Sequence, residues 1–201
     1  MKTGNRSRRT TLLGLLTAIL MVFGMTPLGY LNIGPLAISF NMIPVAIGAA
    51  ALGPVGGAIL GAVFGMTSFL QCIGIGGSSA MGVILFDINP IFAFIQRFVP
   101  RVTAGFLVGV IYQLARKVCK PGLAGSIAGF CAALLNTVLF MTALILFFGN
   151  TQYLTDLIAG RNVIVFICTF VGINAVAEML ATTAVTGALT SALERSGLLR
   201  R

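Results

Sequence analysis

The sequence predicts an all-α, polytopic membrane protein, a compact bundle of about six transmembrane helices in a single domain spanning residues 1–201. Three observations carry that prediction. Hydrophobic residues make up 58% of the chain and charged residues only 8%, a balance suited to lipid rather than water. Apolar runs near the length of about 20 residues needed to cross a bilayer recur along the chain. Finally, Gly53, Gly57, Gly61 and Gly65 stand one helical turn apart, the first just before and the rest inside an apolar run over 54–70. A helical glycine costs about 1 kcal/mol relative to alanine. In a bilayer such a stripe lets two backbones approach closely, and dispersion contacts offset the cost.

The first helix is predicted over 10–26, ending before Pro27, with Gly14 and Ala18 forming a second small-residue face. Residues 28–35 (LGYLNIGP) are too rich in glycine and proline to continue a regular helix and read as a structured loop. A second helix follows over 36–52, with Pro44 expected to kink or open it. Gly53-Pro54 is a tight junction, glycine ending one helix and proline starting the next. The third helix runs to Gln71. The polar, glycine-rich stretch 72–90 exceeds what a hairpin of helices needs and suggests a functional loop. A fourth helix covers 91–117, with a break expected near Pro100. A fifth is predicted over 121–148, a short loop over 150–161, and a sixth helix from there to Leu193.

The charges fix an expected topology. Of 13 basic residues, all but three fall in clusters beside apolar segments. These are Lys2, Arg6, Arg8 and Arg9; Arg116, Lys117 and Lys120; and Arg195, Arg200 and Arg201. The positive-inside rule assigns such clusters to the cytoplasm. The expected layout is a basic cytoplasmic tail over 1–9, a six-helix core over 10–193 and a second basic cytoplasmic tail over 194–201. A basic face carrying base-reading groups, as nucleic-acid binding requires, is absent. The basic start followed by an apolar stretch reads as an uncleaved first helix rather than a signal peptide. Cys72, Cys119, Cys131 and Cys168 are scattered and read as apolar fillers, with no metal or cofactor expected.

No histidine occurs, which removes Ser-His and Cys-His catalysis and the usual zinc hydrolase sites. The glycine repeat lacks the GK[ST] ending of a phosphate loop. No catalytic residue is assigned, and transport energy must come from a partner or a gradient. The three arginines outside the clusters, Arg97, Arg101 and Arg161, are expected near the outer face. Arg101 either snorkels to that interface or grips an anionic ligand with its planar fork. Arg97, one turn earlier, serves the same ligand or anchors the helix end. Asn136 sits mid-helix, where its amide must be satisfied by another helix or by a ligand. Asn174 and Glu178 share a helix face, and a carboxylate at membrane depth marks a cavity or an ion pair. Residue count puts Glu178 past the middle of its helix, toward the cytoplasm, which favours a structural or coupling role.

The segments TPLGYLNIGPLAISFNMIPVAIGAAALGPVGGAILGAVFG, PRVTAGFLVG and LLNTVLF together resemble the substrate-binding S components of energy-coupling factor (ECF) vitamin transporters. The match covers nearly the whole chain and is strongest over 44–65. The resemblance implies a six-helix membrane protein that binds a vitamin near the outer face. It also implies association with a transmembrane coupling subunit and two cytoplasmic ATPases, with toppling in the membrane to deliver the ligand. PRVTAG and LLNT look most like the pantothenate branch, which maps ligand contact onto Arg101 and Asn136, with Asn174 completing the pocket. The coupling face of the family carries an AxxxA pair on the first helix. Here Ala18 is followed by Val22, so Gly14-xxx-Ala18 is the small pair that remains. Biotin or riboflavin as ligand, an autonomous secondary carrier with Glu178 as coupling carboxylate, and a scaffold assembled through the glycine faces are the competing readings.

Overall fold

A computed structural model describes residues 2–26, 29–33, 36–76, 79–158 and 163–197, with the backbone alone described at 2–6, 30–33, 36–38, 163–171, 173 and 174. The architecture is an all-α membrane bundle with one β-hairpin set into it. Helix α1 spans Lys2–Met25, so the basic residues expected as a tail continue the first helix instead. Strands β1 (Tyr30–Ile33) and β2 (Leu36–Ser39) follow, then α2 (Met42–Leu52), α3 (Pro54–Leu70), α4 (Ala80–Ile88), α5 (Pro90–Ala115), α6 (Pro121–Phe148), α7 (Gln152–Ile158) and α8 (Val163–Arg195). Five helices are long and apolar enough to cross a membrane, and α2 is a shorter apolar helix.

Three sequence expectations are corrected. The predicted helix over 36–52 begins only at Met42. Leu36–Ser39 instead pairs antiparallel with Tyr30–Ile33, in the register Tyr30 to Ser39 and Ile33 to Leu36. An apolar run this short does not by itself distinguish strand from helix, and the partner strand satisfies the backbone groups that a helix would satisfy internally. Pro44 consequently falls in the first turn of α2, where its missing N–H costs nothing and no kink follows. Second, the stretch 72–90 is largely ordered: a 3-10 turn over Gln71–Ile73 leads to α4, whose N-cap Ser79 accepts from the Gly82 N–H. The expected loop over 150–161 likewise carries α7. Third, α5 runs unbroken through Pro100.

Packing follows the glycines. Gly57 lies against the backbone of Gly105, and Gly61 against that of Arg101, so closely that a Cβ at either position would collide with a carbonyl oxygen. Gly65 approaches the Phe98 backbone in the same way. The stripe therefore seats α3 on α5 within the chain. Gly53 has a different task. Its φ of +84° turns α2 into α3, a conformation that a side chain would strain. A second small-residue seam joins α6 to α8, with Gly125 against Thr190 and Gly129 against Thr182 and Thr186.

The described residues of the basic clusters converge on one end of the bundle, at the start of α1, the end of α5, the start of α6 and the end of α8. Arg9 there caps α2 by donating to the Leu52 carbonyl at 2.8 Å. Arg116 donates to Glu194 across α5 and α8 at 3.3 Å. The hairpin, α4 and α7 lie at the other end. Leu85 of α4 and Leu154 of α7 are buried there in a small core with Ala93, Met141, Leu144 and Phe148. Helix α2 covers only about 16 Å, against roughly 39 Å for α5. The hairpin fills the room left above it, packed on α8. Irregular backbone at membrane depth is tolerable only when protein covers it, and this placement covers it.

Candidate functional site

Four of the polar groups singled out in the sequence meet in the half of the bundle nearer the hairpin. Along their helices, Arg97 lies about 10 Å from that end, Arg101 about 16 Å, Asn136 about 18 Å and Glu178 about 22 Å. Arg97 and Arg101 share one face of α5 and are 6% and 5% exposed, so neither snorkels to the surface. Burying a guanidinium requires acceptors and π-faces, and both are supplied. Arg97 donates to the Ser68 hydroxyl of α3 at 3.2 Å and to the Ser79 hydroxyl at 3.1 Å. It thereby ties the N-cap of α4 to the bundle. Arg101 donates to the Arg97 carbonyl at 2.6 Å and lies 4.5 Å from the Phe64 ring centroid. Both guanidiniums stand 5.3 Å from the ring of Phe140 on α6.

Phe140 is one turn beyond Asn136, so the aromatic plate and the amide share a helix face. The Asn136 Oδ1 is buried with no hydrogen-bond donor among the described residues. On α8, the charge of Arg101 acts on the carboxylate of Glu178, which also accepts from the Ser39 backbone N–H at the end of β2. Residue counting set Glu178 apart toward the cytoplasmic side. The structure instead brings it to Arg101, because the short α2 lets the hairpin descend to that depth. The side chain of Asn174, one turn before Glu178, lies outside the described residues, as does Arg161.

Sequence reasoning missed Phe64 and Phe140, which are inconspicuous among 15 phenylalanines. It also missed Gln96 and Asn41, both fully buried. Among the described residues, neither amide atom of Gln96 has a partner and Oδ1 of Asn41 has no donor. Polar residues inside apolar runs were the available signal for both. The Gly14 and Ala18 face of α1 is exposed, with nothing within 4 Å of a Cβ built on Gly14. That face is separate from the stripe at Gly53, Gly57, Gly61 and Gly65, which is consumed inside the chain.

Chemically, two buried guanidiniums over an aromatic plate, flanked by amide acceptors, suit a small anion carrying further polar groups. A family model described as the ECF transporter substrate-specific component matches residues 8–190. This chain belongs to that family. The pantothenic acid transporter PanT of Lactococcus lactis subsp. cremoris is 26% identical over 207 residues, which span 96% of this chain and 98% of that protein. The protein is thus a membrane-embedded S component, a transport subunit rather than an enzyme, and the family implies ECF coupling and ATPase partners with a vitamin ligand. Membership supplies the energy source that the sequence lacked and removes the need for an autonomous ion-driven carrier.

Proposed function

We propose that this S component captures pantothenate from outside the cell and hands it to an ECF transmembrane coupling subunit driven by two cytoplasmic ATPase subunits. The observation that carries the reading is the buried Arg101 guanidinium, held between Phe64 and Phe140 one turn from the donor-less Asn136 amide. Pantothenate has one carboxylate for the arginine fork and an amide N–H for the Asn136 carbonyl. The similarity to PanT supports the same ligand. Arg97 holds α4 through the Ser79 hydroxyl and adds positive potential. Riboflavin, lacking a carboxylate, offers the planar fork of Arg101 no acid to grip. The basic clusters beside the apolar helices support a cytoplasmic location for both termini.

A native mass measurement of the purified full-length protein is the direct test. Release of a bound species with the mass of pantothenate is the expected result. A copurifying ligand without an acidic group, or uptake by vesicles containing this chain alone, would sink the proposal.

A further inference from the structure

Two buried acceptors remain near Arg101 after the carboxylate and amide contacts are assigned. One is Oδ1 of Asn41 and the other Oε1 of Glu178, neither of which has a donor among the described residues. They belong to one connected group. The Asn41 Nδ2 donates to the Ser39 hydroxyl at 3.2 Å, the Ser39 N–H donates to the Glu178 carboxylate, and the Arg101 charge acts on that same carboxylate. Asn41 is 0% exposed, so solvent at the protein surface cannot serve it. A buried acceptor without a donor costs free energy comparable to a lost hydrogen bond. Here the two acceptors are joined through Ser39, at the end of the hairpin strand that packs on α8.

We infer that Asn41 and Glu178 are specificity-determining residues that accept hydrogen bonds from hydroxyl groups of the substrate. The site then selects a hydroxylated monocarboxylate over an equally sized acid without hydroxyls. The inference rests on the proposed ligand, whose two hydroxyls are the donors that these acceptors require. Sites built to receive a substrate hydroxyl discriminate strongly against analogues lacking it, because their own buried polar atoms are then left unpaired.

The test is calorimetric titration of the full-length protein in lipid nanodiscs. Its two ligands are pantothenate and the analogue in which both hydroxyls are replaced by hydrogen. Wild-type protein is expected to bind the analogue at least about tenfold more weakly. That gap is expected to narrow at least about threefold in Asn41→Ala and in Glu178→Leu, and to close to about twofold in the double variant. Glu178→Gln, whose amide carbonyl still accepts, is expected to restore the discrimination lost in Glu178→Leu. Equal wild-type affinity for the two ligands would overturn the inference, as would a gap undiminished in both variants. The wild-type comparison needs no substitution and stands even if a variant does not fold. If pantothenate itself does not bind, the ligand assignment falls and this inference with it. Binding without discrimination removes this inference alone.

Discussion

The burial of Arg101 at 5% exposure is supported by the rings of Phe64 and Phe140 and by the Arg97 carbonyl. Truncating one partner of a buried charge pair costs about 2–5 kcal/mol. Arg101→Ala is accordingly expected to weaken pantothenate binding by about a hundredfold or more, read by titration calorimetry; unchanged affinity would dismiss the arginine grip. Arg101→Lys retains the charge but not the planar fork and should fall between the two. Phe140→Leu removes π-faces from both guanidiniums, each contact worth about 1–2 kcal/mol when desolvated, and should lower affinity about tenfold. Arg97, Arg101 and Asn136 were legible in the sequence because polar groups in hydrocarbon demand a reason. Phe64 and Phe140 were not, since an aromatic side chain in an apolar helix satisfies lipid and ligand equally well.

Among the elements, the small-residue seams decide which helices can touch. The glycine stripe of α3 was visible in one dimension, but its partner α5, with Gly105 and Gly109 meeting Gly57 and Pro54, emerged only on folding. Gly57→Val forces a side chain into the Gly105 backbone, and overpacking of this kind costs about 1–3 kcal/mol. Thermal unfolding in detergent should show Gly57→Val and Gly129→Val clearly destabilised. Gly14→Val, facing open space, should unfold like the parent. If α1 presents the coupling face, Gly14→Val should instead lose copurification with the coupling subunit; retained assembly would locate docking elsewhere. The hairpin was the largest miss at this scale. Residues 36–39 pair with a strand only four residues long, too short for periodicity to announce.

For the whole molecule, the convergence of the basic clusters at one end and of the hairpin, α4 and α7 at the other gives the bundle a direction. A membrane-impermeant maleimide should therefore label a cysteine placed at exposed Ser196 from the cytoplasmic side only, in a background lacking Cys72, Cys119, Cys131 and Cys168. Labelling of intact cells from outside would invert the topology. Uptake by the assembled transporter should stop on ATP depletion and survive collapse of ion gradients, since family membership assigns energy to partner subunits. The opposite sensitivity would restore Glu178 to the role of a coupling carboxylate.

From composition, spacing and charge alone came the membrane class, the bundle, the basic end and most of the polar map. Those properties depend on local quantities: apolar length against bilayer thickness, the cost of a charge in lipid, and the periodicity of small residues. Tertiary structure decided the depth of the site. A second helix of only 11 residues leaves half the bundle open, a hairpin fills that space, and Ser39, Asn41 and Glu178 are thereby brought to Arg101. No local pattern specifies that meeting, because its members come from a strand, a turn and two helices widely separated in the chain.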